Sequence, residues 1–353
     1  MIVSLYDLID IYEYEVKKNV RNKKKLMDFE RHKIEYLTDM KRVLESGSYD
    51  GGRYNIFLVF EPKVRVIMAQ SIYDKVINHY VTRFILMPKL EKYLGDRNCA
   101  TRKGMGTTYA LKLLKKEIES FKKYDTFYFL KLDISKYFYT LDHQVIISLI
   151  EKDLTPVELN LIKVILDSTN KPYVNKMIEY LEKKYNIELP KYLYGKGLAI
   201  GNLSSQFLAI LYLSNLQHYI THNLHISFIN YMDDYVLIHN SKDYLKKSLE
   251  LIESKIENEY KLKLNYNKTC IVNCRQGINF LGYLFKIVDK KTVIKITGTK
   301  RRSIRKGIKR ANYLYKNNII KFNQYFSSIE TFKNGYIFVD KKKMKEFVDK
   351  YNG

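Results

Sequence analysis

The chain has 353 residues, 46% of them apolar, with 62 Lys and Arg against 38 Asp and Glu, a formal charge of +24. So large an excess costs stability through self-repulsion and points to a polyanionic partner, nucleic acid before a membrane surface. Three cysteines exclude a disulfide framework, MIVSLYDLIDIYEYE lacks the parts of a signal peptide, and no long stretch is apolar enough to cross a bilayer.

A reduced, cytoplasmic protein with no membrane partner is therefore expected, built as two or three subdomains around one main core. Tyr is abundant at 32, Phe adds 17 and Trp is absent. Rings beside Lys and Arg suit stacking on unpaired bases. A biased coding composition explains the same excess equally well.

In chain order, residues 1–46 read as helical, with a basic knot at Arg21, Lys23, Lys24 and Lys25. Ser46 to Gly52 reads as a loop. Tyr54 to Phe60 and Lys63 to Met68 read as strands interrupted at Glu61-Pro62. Ala69 to Leu86 is predicted helical, with Pro88 as a break. Gly104-Met105-Gly106 is a tight turn, and Thr107 or Thr108 is predicted to cap a helix reaching about Lys123. Phe127 to Ile134 is a compact apolar run that fits a buried strand.

Residues 143–186 read mostly as helix. Gly195 to Asn202 leads into one long apolar helix, 204–223. Strands at about 226–232 and 235–239 are predicted to join at Asp233-Asp234. Leu245, Leu249, Ile252 and Ile256 mark one face of a helix over 241–260. Residues 268–288 read as strands kinked at Gly282, and the strongly basic tail from Gly298 as helix. This gives an α/β (α+β) protein in which the strands at about 226–232 and 235–239 form a hairpin.

Two adjacent carboxylates in an apolar hairpin repel each other and gain nothing from burial. Asp is also depleted in strands. A divalent cation would compensate, and Mg²⁺ takes carboxylate and phosphate oxygens while keeping several waters. A second acid, Asp133, ends the apolar run Leu130-Lys131-Leu132. Asp133 and Asp233 together can hold two ions about 3.5–4 Å apart, the arrangement that serves phosphoryl transfer. Lys63 and Arg65 alternate along a strand and share one face. Arg102 precedes a glycine turn whose N–H groups suit phosphate. In the tail, Arg302, Arg305, Lys306 and Lys309 share a helical face suited to phosphate tracking.

With these residues in place, the sequence resembles the reverse transcriptases from about Glu61 to Tyr283. Glu61 to Ile67 and Cys99 to Thr107 look like the fingers motifs. Leu132 to Phe138 is similar to the first catalytic motif, Tyr231 to Asp234 to the second, and Phe280 to Tyr283 to the primer-grip segment. The resemblance implies a polymerase right hand, with N-terminal helices and fingers over 1–125, an antiparallel palm sheet over 126–290 (with a helical insertion near 143–194) and a short helical thumb over 291–353. It implies transfer of dNMP from dNTP to a primer 3′-hydroxyl, on an RNA template with a DNA or RNA primer.

It further implies two Mg²⁺ (or Mn²⁺) ions held by Asp133, Asp233 and Asp234 with the Ile134 carbonyl. Lys268 becomes a general acid for the leaving pyrophosphate. Phe138 becomes a gate against the ribose 2′-hydroxyl, which it would leave unpaired at a cost of about 1–3 kcal/mol. Gly201, Asn202 and Gln206 are expected at the nascent pair, with Lys63, Arg65 and Arg102 on the triphosphate and template.

One stretch departs from the common family pattern. Leu198-Ala199-Ile200-Gly201 followed by Ser204-Ser205-Gln206 resembles the bacterial branch that includes the diversity-generating retroelements. An antiviral defence enzyme with a dedicated non-coding RNA and an accessory protein, or with little template use, shares the same active site. An RNA-binding protein on a decayed polymerase fold is the non-enzymatic alternative, opposed by the intact acids and Phe138.

Overall fold

The computed structural model describes residues 2–60, 63–334 and 336–352, so the expected break at Glu61-Pro62 lies outside the described residues. The N-terminal helices are α1 (Leu5–Asp10), which runs on through a π-helical turn, α2 (Lys23–Arg31) and α3 (Lys33–Ser46). The Asn22 side chain accepts the Lys25 N–H at the start of α2, and Gly47 ends α3 in the left-handed region at φ 69°, where a side chain would be strained. β1 (Asn55–Val59) and β2 (Arg65–Ala69) then pair antiparallel, with Val59 opposite Arg65.

α4 (Ile72–Tyr80) continues through a π-helical turn into α5 (Met87–Leu90). Pro88 therefore does not break the chain as expected. It sits at the start of α5, two residues after the π-helical turn, in backbone that stays helical on both sides. α6 (Thr107–Phe121) starts without the expected threonine cap: Gly106 occupies the cap position, and the Thr107 hydroxyl donates to Tyr231 Oη at 3.4 Å instead.

β3 (Tyr128–Asp133), α7 (Tyr137–Thr140), α8 (His143–Ile150), α9 (Pro156–Asp167) and α10 (Pro172–Tyr185) follow. α9 begins with a capping box between Thr155 and Glu158. The expected long helix is two, α11 (Leu203–Tyr212) and α12 (Ser214–His222), because Leu213 leaves helical geometry at φ −102° and ψ 17°. β4 (Ser227–Tyr231) and β5 (Asp234–His239) form a hairpin, followed by α13 (Lys242–Asn258).

β6 (Cys270–Asn273), β7 (Ile278–Phe280), β8 (Tyr283–Val288) and β9 (Lys291–Ile296) complete the strands. β9 was not foreseen, because its alternating Lys-Thr-Val-Ile-Lys-Ile is short and half polar. Gly282 is the second residue of the β7–β8 turn, not a kink within a strand. α14 (Gly298–Lys316), α15 (Phe322–Asn334) and α16 (Lys341–Asp349) end the chain.

The chain forms two compact units: residues 1–101, 133–225 and 249–265, and residues 102–132, 226–248 and 266–353. In the first, the inner face of the β1–β2 pair (Ile56, Val66, Met68) packs on Val174 and Ile178 of α10. In the second, the sheet order is β4-β5-β3-β6 with a separate β7-β8-β9 sheet. β5 is buried along its length at Tyr235 to Ile238, which matches its unbroken apolar run. The second unit holds 32 basic residues against 11 acidic ones, so +21 of the +24 lies there. Among the described residues no helix is long and apolar enough to cross a membrane.

Candidate active site

The acidic hairpin belongs to the second unit. Tyr231 pairs with Asp234, so the two-residue loop is Met232-Asp233, and Asp234 is the first residue of β5. This corrects the expected junction by one residue. Met232 takes φ 59°, a sign usually left to glycine and one that costs a bulky residue roughly 1–3 kcal/mol. The fully buried Asn230 holds the loop: its Nδ2 donates to the Met232 carbonyl at 2.6 Å.

Asp234 is engaged by Lys131. Lys131 Nζ lies 3.1 Å from Asp234 Oδ1 and donates to the Asn279 carbonyl at 2.8 Å. Asp234 thus faces a cation, and Asp233 is half-exposed at the turn. Lys131 also lies opposite Cys270 of β6, two residues beyond the exposed Lys268. Arg102 is half-buried at the start of the glycine turn, its carbonyl accepting the Met105 N–H at 3.1 Å. Gly104 to Tyr109 and Lys112 line a shallow recess of about 380 Å³ there.

The first unit carries the other expected residues. Asp133 is fixed twice by Asn265, whose backbone N–H reaches the Asp133 carbonyl at 2.8 Å and whose Nδ2 reaches Oδ2 at 2.9 Å. Ile134 bridges to Leu264. Phe138 is half-buried, its ring 6.1 Å from Tyr137, and its carbonyl accepts the Leu198 N–H at 2.7 Å. That bond ties the expected sugar gate to the segment leading into Gly201.

Gly201 has a clear reason to be glycine. Its φ is 128°, and a Cβ there would lie 3.1 Å from the Met68 carbonyl and 3.7 Å from Ile67 Cγ2. The Met68 N–H also donates to the Ile200 carbonyl at 2.9 Å. Ile67 and Arg65 alternate with Val66 on β2 and share its outer face. The first unit thus gathers Arg65, Phe138 and Gly201, with Lys63 exposed two residues before Arg65.

Asn202 turns away from solvent: it is fully buried and donates from Nδ2 to Tyr54 Oη at 2.8 Å. Burial pushes the Tyr54 phenol up to about 12, which keeps it protonated. Gln206 is half-buried in the first turn of α11, its N–H donating to the Asn202 carbonyl at 3.2 Å.

On α14, Arg302, Lys306 and Lys309 are exposed, but Arg305 is not with them. Its guanidinium stacks 5.1 Å from the Tyr351 ring. Sequence reasoning missed Asn230, Lys131 and Asn265.

No group of three or more His, Cys, Asp or Glu able to hold a metal occurs among the described residues. The acids that are present, Asp133, Asp233 and Asp234, offer only hard oxygen donors.

No curated protein matches the sequence. Among solved structures, apo telomerase from Candida tropicalis truncated from its C-terminal domain is similar at a TM-score of 0.45 and 16% identity, over 75% of this chain and 60% of that one. Telomerase from Candida albicans in complex with a TWJ fragment of telomeric RNA is similar at 0.47 and 16%, over 87% and 61%. The chain thus spans less than two thirds of either. A family model described as reverse transcriptase (RNA-dependent DNA polymerase) matches residues 61–285, more than half of the chain and the whole run of motifs. The chain belongs to the reverse transcriptase family.

Proposed function

We propose that the protein is an RNA-directed DNA polymerase that transfers dNMP from dNTP to a primer 3′-hydroxyl. The observation that carries this reading is the family match over residues 61–285, which spans both Asp133 at the end of β3 and the Asp233-Asp234 hairpin. Family membership supplies the chemistry that these acids serve.

Asp133, Asp233 and the Ile134 carbonyl would hold Mg²⁺, with Asp234 as a weaker contributor because Lys131 already faces it. The donor set fits, since Mg²⁺ is commonly bound by one or two carboxylates plus substrate phosphates and water. When bound, the metal ions activate the 3′-hydroxyl and stabilise the leaving oxygen. Lys63, Arg65 and Arg102 bind the triphosphate, Phe138 excludes the 2′-hydroxyl, and Gly201 admits the nascent pair. The exposed Lys268 delivers a proton to pyrophosphate. Residues 1–125 serve as N-terminal helices and fingers, 126–290 as palm and 291–353 as thumb. In the thumb, Arg302, Lys306 and Lys309 track the duplex backbone.

We further propose that the template belongs to a diversity-generating retroelement, supported by the resemblance of Leu198 to Gln206 to that branch. The test of the polymerase reading is Asp233→Ala. Primer extension on an RNA template should be abolished, with affinity for RNA within about twofold of the parent. Extension at the parental rate would overturn the mechanism.

A further inference from the structure

The thumb carries more than a basic stripe. From Gly298 to Ile329 there is no acidic residue and there are nine Lys or Arg. Within that stretch, at the turn between α14 and α15, large apolar side chains stand in solvent. Ile319 is 60% exposed, Phe322 57%, Phe326 54% and Tyr315 38%. Soluble proteins rarely leave such a group uncovered without a use for it.

These side chains form a ladder. The Tyr315 and Phe322 rings are 6.1 Å apart, and Phe322 and Phe326 are 6.0 Å apart at 30°. Tyr325 stacks on Tyr315 at 4.6 Å and 15° from the other side. The turn that presents them is held by backbone bonds: the Ile319 N–H reaches the Leu314 carbonyl at 2.8 Å, and Asn318 takes φ 56°. Exposed Lys316 and Lys321 flank the ladder.

We propose that this aromatic ladder is a docking surface for single-stranded nucleic acid, with unpaired bases stacked on Phe322 and Phe326 and phosphates on Lys316 and Lys321. The choice of occupant follows from charge and shape. A second copy would set nine like charges against nine. Along its length a duplex offers no free base faces to stack on the rings. A single strand satisfies both features, because every base has a π-face and every nucleotide a negative charge. The inference rests on the nucleic-acid reading of the enzyme but names a surface apart from the acidic hairpin.

The absence of tryptophan gives a direct probe. In Phe322→Trp the lone indole should be quenched by a 12-nucleotide single-stranded RNA and left unchanged by a blunt duplex of the same sequence. Phe322→Ala with Phe326→Ala should weaken binding of that single strand about tenfold, as expected from losing base–aromatic stacking. Blunt-duplex binding should move less than twofold, and the circular dichroism melt should match the parent. Phe322→Tyr should restore single-strand binding.

Unchanged single-strand affinity in the double variant would overturn the proposal, as would an equal loss for the duplex. A concentration-dependent dimer, or binding to anionic vesicles, that the double variant abolishes while single-strand binding persists would assign the surface to another partner. Failure here leaves the Asp233→Ala outcome untouched, so the two readings fail separately.

Discussion

Asp133 does not set its own geometry. It ends β3, where a lone carboxylate is free to choose its rotamer, and Asn265 removes that freedom by gripping both its carbonyl and its Oδ2. Hydrogen bonds to a charged group are worth about 1.5–3 kcal/mol. Asn265→Ala should therefore lower single-turnover extension roughly tenfold while moving the dNTP KM less than threefold, because the substitution touches Asp133 and not the triphosphate residues. Asn265→Asp should be slower still, since it sets a second negative charge against Asp133. Extension by both variants at the parental rate would show the contact to be incidental. Asp133 and Asp233 stood out as candidates from residue type and apolar surroundings alone. Their holders were not, because Asn265 is 132 residues from Asp133 and an asparagine outside a pattern carries no signal. The turn at Met232 was misread by one residue for a related reason: a methionine at positive φ contradicts the glycine and asparagine preference from which hairpin loops are read.

At the scale of elements, strands with strong apolar runs followed the sequence, while the expected threonine cap of α6 and the junctions between elements did not. The long helix expected over 204–223 bends at Leu213, where no proline or glycine announces it. The β7–β8 hairpin shows how a distant element completes a turn. Leu281 and Gly282 both take positive φ, 48° and 84°, and Lys300 of α14 reaches back to them. Its Nζ lies 3.3 Å from the Leu281 carbonyl and 4.4 and 5.2 Å from the Tyr283 and Tyr336 rings. Lys300 thus belongs to this hairpin and not to the outer basic stripe. Burial holds its ammonium below the ordinary lysine range. The folded pKa is depressed, so the unfolded chain binds more protons between the two values and stability rises with pH there. Burial also raises the Tyr283 and Tyr336 pKa values, but both tyrosines remain in Lys300→Met. The parent should therefore gain stability relative to Lys300→Met as pH rises from neutrality toward the unfolded lysine value of about 10.4. A denaturant midpoint difference that stays flat across that range would show that Lys300 is solvated.

At the scale of the whole molecule, the +24 that first suggested a polyanion is not a diffuse property. The first unit is nearly balanced, with 30 basic residues against 27 acidic, while the second carries almost all of the excess. Self-repulsion is therefore concentrated in the unit that contains the strongly basic helix α14, which is where a polyanion gives the greatest relief. The knot at Lys23, Lys24 and Lys25 lies in the balanced unit, and exposed charges there stand near acids such as Asp28 and Glu30 in sequence. For template–primer duplex binding, each phosphate contact contributes roughly 0.9 to the slope of log affinity against log salt. Replacing Arg302, Lys306 and Lys309 together by Gln should reduce that slope by nearly three contacts' worth. Replacing Lys23, Lys24 and Lys25 by Gln removes the same formal charge and should leave the duplex slope almost unchanged. Equal reductions from the two triple variants, measured by anisotropy from 50 to 300 mM salt, would mean that net charge governs binding and not its placement on α14.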